Sequence, residues 1–294
     1  PRVASLYGSM ISVVVPSYHS WATLPACLRA LERQSRRPHE VFVVNSSDET
    51  QTAEVLGQFS FATLVQSPTR LLPHAARNVG IGRATGELLV MTDPDCEADP
   101  DWIQNLARAW EAGASVLGGA MDVLRPGWLE SGIHLVKFAH ALRGSPQTNL
   151  PLASTANAAF DRAVFDRIGS FRGDLLSGDA WFSRAAVSAG LDIHFVPKAI
   201  VRHVHGHSVR TLCRERFRRG IEFARARDDL DGARLGARRV RATMAFPGVL
   251  RALVRNAEFA RRAGWTARFV ATAPIQLAGL LAWGLGEAKG HLSR

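Results

Sequence analysis

Cysteine is scarce in this chain of 294 residues, and Cys27, Cys96 and Cys213 stand too far apart for any zinc-ligand spacing. Three thiols build no disulfide framework, which fits a reducing compartment. A leader is not legible either: the opening PRVASLYGSM lacks a long apolar core. These absences set the expectation of a cytoplasmic protein, or one peripheral at the inner face of a membrane. One stretch from Phe269 to Leu285 (FVATAPIQLAGLLAWGL) is uncharged over 17 residues, but it is short for a bilayer span and Pro274 interrupts it. An interfacial or docked helix is the better reading of that segment. Lysine is missing between Arg202 and Arg268, where 17 arginines face six acids. That segment accounts for all of the formal +10 charge, the rest of the chain being close to balanced, which points to phosphates of a nucleotide or of a membrane surface. The few aromatic residues among these arginines, such as Phe217 and Phe223, form no regular series of stacking platforms and no DNA-binding motif is present, so nucleic acid is not expected as a partner.

What is present is an alternation of short apolar runs with helical patterns, in a chain whose 47% hydrophobic content supports a substantial core. Strands are predicted at Ile11–Val15, Val41–Val44, Ala62–Val65, Leu88–Met91 and Ser115–Val123. Helices are predicted over 20–34, 75–84 and 101–112. Fully apolar strands alternating with helices imply an α/β fold with a mostly parallel central sheet covered on both faces. Beyond Pro126 the pattern predicts helices at 130–142, 161–168 and 179–189, short strands at 192–196 and 199–204, and helix from Ser208 onward. The domain division expected is 1–210, followed by an arginine-rich helical extension over 211–294 whose apolar part, 269–285, associates with a membrane.

Parallel sheets bind ligands beyond the carboxyl ends of their strands. Three polar clusters satisfy that condition together: Pro16-Ser17-Tyr18, Asn45-Ser46-Ser47-Asp48 and Thr92-Asp93-Pro94-Asp95. Asp93 and Asp95, one residue apart just past a buried strand, can converge on a hard cation or form an ordinary acidic turn. Asp99 and Asp101 fit the start of the next helix, with Asp99 as its N-cap.

Several segments, in order, resemble family 2 glycosyltransferases of the GT-A fold. These are VVVPSYHSWATLPACLRALERQ, HEVFVVNSSDET, AARNVGIGRATGELLVMTDPDC, STANAAFDRAVFDRIGSF and SGDAWFSRAAVSAG, and the resemblance covers about residues 10–210. It implies a nucleotide-binding fold and an inverting enzyme. A sugar would pass from a nucleoside-diphosphate donor to an acceptor hydroxyl on a carbohydrate, a lipid-linked molecule or a small molecule, with Mg²⁺ or Mn²⁺ as cofactor. The resemblance assigns the nucleotide-sugar contacts to Pro16, Ser17, Tyr18, Asn45, Asp48, Arg77, Asn78 and Asp93. It assigns the metal to Asp93, Asp95 and His203, and the acceptor or sugar pocket to Asn157 and Trp181.

The general base implied is Asp179, in Ser177-Gly178-Asp179, where the family pattern has Gly-Glu-Asp. Asp179 can equally cap the helix it begins, and Asp174 is a nearby competitor. The family usually has aspartate where Asn45 stands, and an amide can reverse one contact to the base. Tyr18 can stack on a base or pack in the core, and Trp181 can line the pocket or anchor its helix. His203, His205 and His207 form an alternating trio that on a strand would face one side, which permits metal binding; His203 resembles the family's histidine, and the other two read as structural. The departures at Asn45 and beside Asp179 leave room for a non-catalytic binding or scaffold protein. A nucleotidyltransferase would need a glycine-rich basic loop after the first strand, which SYHSWATLP does not offer.

Overall fold

The computed structural model describes residues 10–206 and 208–293. Residues 1–9, read above for a leader, and His207 lie outside the described residues. In chain order the elements are β1 (Ile11–Ser17), α1 (Leu24–Glu32), β2 (Glu40–Asn45), α2 (Gln51–Leu56), β3 (Ala62–Gln66), α3 (Pro73–Arg83), β4 (Leu88–Thr92) and β5 (Cys96–Ala98). Next come α4 (Trp102–Glu111), β6 (Val116–Val123), α5 (Trp128–Phe138), a 3-10 turn (Ala139–Ala141), β7 (Asn157–Asp161), α6 (Arg162–Ile168), α7 (Gly178–Ser188) and β8 (Ile193–His203). The rest is helical: α8 (Val209–Leu230), α9 (Leu235–Arg262), α10 (Thr266–Ala271) and α11 (Ala273–Leu292).

The chain forms two compact units. The first holds the described residues up to Leu124 together with Pro146–His203, and the second holds Arg125–Ser145 and the described residues from Val204 onward. The first unit is an eight-stranded sheet in the order β3-β2-β1-β4-β7-β6-β8-β5, flanked by helices. From β3 to β4 every pairing is parallel, and all seven residues of β1 are buried, so this half reads as unbroken apolar runs. Beyond β4 the sheet is mixed. β7 runs antiparallel between β4 and β6, β8 lies parallel to β6, and the short β5 is antiparallel to β8.

The departures from the sequence pattern have local causes. The strands expected at 192–196 and 199–204 are one strand, β8, which bulges around Pro197: Gly119 pairs with Val196 and Ala120 with Ile200. Pro197 has no N–H for the ladder, and a bulge is where a strand tolerates it. β7 is carried by Asn157-Ala158-Ala159-Phe160-Asp161, whose small residues give no alternation to read. The helix expected over 130–142 ends at Phe138 and tightens into the 3-10 turn.

In the second unit, α11 packs along α8 by virtue of glycine. A Cβ at Gly286 would fall on the Phe217 carbonyl, and one at Gly290 would lie 2.6 Å from the Ile221 carbonyl. The three long helices are also tied by one buried carboxylate. Asp228 accepts from Arg241 at 2.9 Å and Arg238 at 3.1 Å, and lies 2.8 Å from the His291 ring nitrogen. Around α5, Ile133, Val136, Leu212 and Ile275 form one apolar cluster, and Leu135, Leu142, Ala260 and Trp265 another. Among the described residues, no helix is long and apolar enough to cross a membrane.

The glycine contact gives a direct test. Gly286→Leu should destabilise the protein by about 3 kcal/mol through overpacking against backbone. Gly236→Ala, in α9 where the added methyl meets open space, should be neutral or stabilise by about 0.5–1 kcal/mol. Urea denaturation of both variants beside the parent measures the contrast.

Candidate active site

Pro73 opens α3, a position where its missing N–H costs nothing, and the first two turns of that helix organise the site. α3 can lie close to the sheet because residue 80 is glycine: a Cβ there would fall on Val14 of β1. Three side chains of α3 then reach three separate segments. Arg77, 1% exposed, ion-pairs with Asp93 just past β4 and donates to the Thr155 carbonyl at 3.4 Å. Asn78 clamps the backbone of Phe171, donating to its carbonyl at 2.9 Å and accepting its N–H at 3.1 Å. His74 accepts the Asp179 N–H at Nε2 (3.3 Å), and the same nitrogen lies 3.7 Å from Asp179 Oδ1.

The approach of His74 to Asp179 depends on Gly178. A Cβ at that position would lie 2.6 Å from the Arg172 carbonyl and 2.8 Å from the His74 ring. Asp179 does not cap α7: Ser177 occupies the N-cap, and Asp179 sits in the first turn with Oδ1 accepting the Ala180 N–H at 2.9 Å. Its side chain keeps a modest opening, 18% exposed. Asp174 is bound in bidentate fashion by Arg172, at 2.8 and 2.6 Å, which holds its carboxyl below the usual range.

At the end of β4 the acidic stretch divides. Asp95 Oδ1 lies 3.5 Å from Nε2 of His203, which is buried at the end of β8. These two and Cys96 present ligand atoms within 4.8 Å of one another. Burial pushes the Cys96 thiol well up, with the charges of Asp95 and Asp93 adding to it, so the sulfur is a neutral thiol. An oxygen and an imidazole nitrogen suit a hard or borderline divalent cation, whereas a protonated thiol does not. Asp93 is the member held instead by Arg77. The expectation that Asp99 caps α4 is corrected. Asp101 stands at the N-cap without a side-chain bond, and Asp99 ion-pairs with Arg202 of β8 because β5 pairs there.

At the ends of β1 and β2, Ser17 and Asn45 are register partners and Pro16 faces Val44. The Asn45 amide is consumed locally, donating to Gln66 at 3.0 Å and to the Ser47 carbonyl at 3.2 Å while accepting the Ser47 hydroxyl at 2.7 Å. Ser17 Oγ is buried without a hydrogen-bond partner among the described residues. Tyr18 is exposed rather than in the core, with the Arg70 guanidinium 4.4 Å above its ring. Asp48 is exposed beside His19 and Glu49, which lie 3.0 Å apart.

A sequence model of glycosyl transferase family 2 matches residues 12–169, more than half of the chain. The chain belongs to this family. Glycosyltransferase AglE of Haloferax volcanii is 25% identical over 201 residues, covering 66% of each chain. The O-antigen chain rhamnosyltransferase RfbN of Salmonella typhimurium is 22% identical over 229 residues, 73% of this chain and 72% of its own. Among solved structures, the mannosyltransferase PcManGT from Pyrobaculum calidifontis, in complex with GDP-Man and Mn²⁺, aligns at TM-score 0.58 and 20% identity. That match covers 92% of this chain and 88% of PcManGT. S. aureus TarS aligns at TM-score 0.53 and 19% identity, over 72% of this chain but 39% of TarS. The chain thus spans about two thirds of AglE and well under half of TarS. At such identities the solved structures establish the GT-A fold. Family 2 members are enzymes that transfer glycosyl groups.

In this family 2 chain the two residues expected at the acceptor side sit deeper than expected. Asn157 is buried in β7, accepting from Trp102 Nε1 at 2.7 Å and donating to the carbonyls of Ala120 and Ala199 at 2.9 Å each. Those bonds stitch β7 to β6, β8 and α4. Trp181 is mostly buried on α7, with Arg184 5.6 Å from its ring centre. His74 and Gly178 were not singled out from the sequence. His74 stands one helical turn before Arg77, so the i, i+3 rule applied to Arg77 was the signal that could have found it.

Asn157→Ala should leave a buried indole N–H and two carbonyls short of partners, destabilising the fold by about 3 kcal/mol. If Asn157 is this strut, thermal or urea melts register the loss while the KM for any donor stays within about twofold of the parent at temperatures where the variant is folded. A large KM effect in a stable variant would make it a sugar contact instead.

Proposed function

We propose that this enzyme transfers a sugar from a nucleoside-diphosphate donor to an acceptor hydroxyl, with inversion and with assistance from Mg²⁺ or Mn²⁺. The observation that carries the reading is the pairing of Asp95 with His203 next to the Arg77-held Asp93, on the strand edge that also carries Ser17 and Asn45. Asp95 and His203 would hold the ion, with Asp93 beside them. When bound, it supplies positive charge where the departing diphosphate accumulates negative charge. Ser17, Tyr18 and Asp48 would meet the nucleoside, with Pro16 and Asn45 shaping that wall and Asn78 fixing the loop before α7. The complex of PcManGT with GDP-Man and Mn²⁺ supports this class of donor and ion.

Asp179 would accept the proton of the attacking hydroxyl. His74 would act on it as a positioning residue, receiving the Asp179 N–H so that the first turn of α7 is held in place. The acceptor favoured is lipid-linked. An undecaprenyl-phosphate 4-deoxy-4-formamido-L-arabinose transferase of Serratia proteamaculans is 27% identical over 128 residues, 40% of this chain. Such an acceptor would place the enzyme at the cytoplasmic face of a membrane.

Two measurements test the reading. Calorimetric titration with UDP, GDP, dTDP and CMP, each with and without Mn²⁺, should find at least one nucleotide whose binding depends on the metal. Asp95→Asn should weaken that binding at least about tenfold. If no nucleotide binds in a metal-dependent way, the donor assignment is wrong.

With a turnover assay in hand, Asp179→Asn should keep donor affinity and lose about 10²- to 10⁴-fold in kcat. His74→Ala should lose about 10- to 100-fold in kcat with donor affinity unchanged. Parent-like turnover by Asp179→Asn would move the base elsewhere. A parent that binds donor and never turns it over would instead mark a binding protein on this fold.

A further inference from the structure

The second unit exposes an apolar stripe that its own packing does not use. α9 buries small and polar residues, Ala242, Ala245, Asn256 and Ala260, toward its neighbours. On the opposite face stand Val240, Met244, Pro247, Leu250 and Val254, spaced i, i+4, i+7, i+10 and i+14, one continuous helical face. Val240, Leu250 and Val254 are 61%, 63% and 62% exposed, and Met244 is 47% exposed. Single exposed aliphatics are ordinary, but a contiguous run over four turns is an interaction surface.

The charges around the stripe select its partner. α9 carries seven arginines and one acid, Glu258, which Arg261 and Arg262 already bind. Arg238 and Arg241 are committed to Asp228. Arg239, Arg251 and Arg255 remain, all exposed and without an acidic partner among the described residues. Arg251 stands i+4 from Pro247 and Arg255 i+4 from Arg251, so the first lies on the face of the stripe and the second at its margin. A second copy of the chain would set these cations against themselves, and a neutral apolar partner would leave them uncompensated.

We propose that this face of α9 lies on an anionic lipid surface, its aliphatic side chains at the headgroup boundary and its arginines on the phosphates. The helix would rest on the membrane rather than cross it, consistent with the lack of a spanning helix among the described residues. α11 also exposes a leucine row, Leu277, Leu281 and Leu285, but its charged residues are only Glu287 and Lys289. The expected membrane segment, 269–285, therefore has the apolar row without the cations, and α9 has both. This inference does not depend on the donor or the base, and its test reads binding alone.

The test is flotation of the full chain with vesicles of phosphatidylcholine alone, or of phosphatidylcholine with phosphatidylglycerol. The parent should float with the anionic vesicles, less so as salt is raised, and stay unbound with the neutral ones. Arg251→Ala with Arg255→Ala should weaken anionic binding about 20-fold or more. Val240→Asp with Leu250→Asp should abolish it. All four positions are exposed, so circular dichroism melts should match the parent and show that folding is intact. The proposal is overturned if the parent floats equally with neutral vesicles or with none, or if both α9 variants bind like the parent. It is also overturned if Leu277→Asp with Leu281→Asp alone removes binding, or if the α9 substitutions convert a dimer to a monomer without touching vesicle binding.

Discussion

The ion pair between Arg77 and Asp93 is the interaction on which the rest of the site depends. A guanidinium that is almost fully buried is tolerable only when its charge is met at once, and Asp93 meets it from the loop after β4. The pair thereby fixes the position of α3 relative to the strand that ends in Thr92. Everything else α3 does follows from that placement, since His74 and Asn78 ride on the same two turns. One reaches Asp179 at the start of α7, and the other grips Phe171 in the approach to it. The carboxylates beside β4 and the carboxylate on α7 come from distant parts of the chain, and one helix sets both. Arg77 also donates to the Thr155 carbonyl, so the segment leading into β7 is anchored by the same residue.

This arrangement changes what the charge on Arg77 can do. A guanidinium already paired with a carboxylate contributes less net field at a distance, so on the proposed reading Arg77 would act on a diphosphate chiefly by holding Asp93. On that reading, the positive charge that a diphosphate leaving group requires would come from a divalent ion held by Asp95 and His203. Four of the five acids in LVMTDPDCEADPDW therefore have separate surroundings. Asp93 has an arginine of α3, Asp95 a histidine of β8, and Asp99 an arginine of β8, while Asp101 begins α4.

The parallel half of the sheet was legible because buried strands such as ISVVV and LLVM are unbroken apolar runs whose polar ends mark the ligand edge. β7 was not, since Ala158 and Ala159 have neither branching nor alternation, and a strand central to the sheet hid inside a segment read for its polar residues. Asn157 shows the limit most clearly. Its place in a motif suggested a ligand contact, but an amide with two donors and an acceptor satisfies buried groups equally well, and its bonds to Trp102, Ala120 and Ala199 follow from a register of β7 that spacing does not show. Asn45 is similar: its amide is tied to Gln66 and Ser47, partners on another strand and in the adjoining loop that spacing alone does not join. Ser208, by contrast, caps α8 with a hydroxyl that accepts from Thr211, the local rule that sequence carries well.

The arginines make the same point about charge. Composition reports an excess between Arg202 and Arg268 and invites a single explanation, yet the structure sorts the residues by environment. Arg216 is half-buried with its guanidinium 4.4 Å from the Trp283 ring centre, and desolvation, with Arg219 nearby, lowers its pKa to about 10, still charged at neutral pH. Arg238 and Arg241 close a buried cluster on Asp228, and Arg202 closes on Asp99. A charge already answered inside the protein attracts nothing outside it, because the field of a close pair falls away within its own dimensions. Net charge is therefore a poor guide to partners. The useful quantity is the charge left over on a face, and on α9 that remainder coincides with the aliphatic residues the interior has no room for.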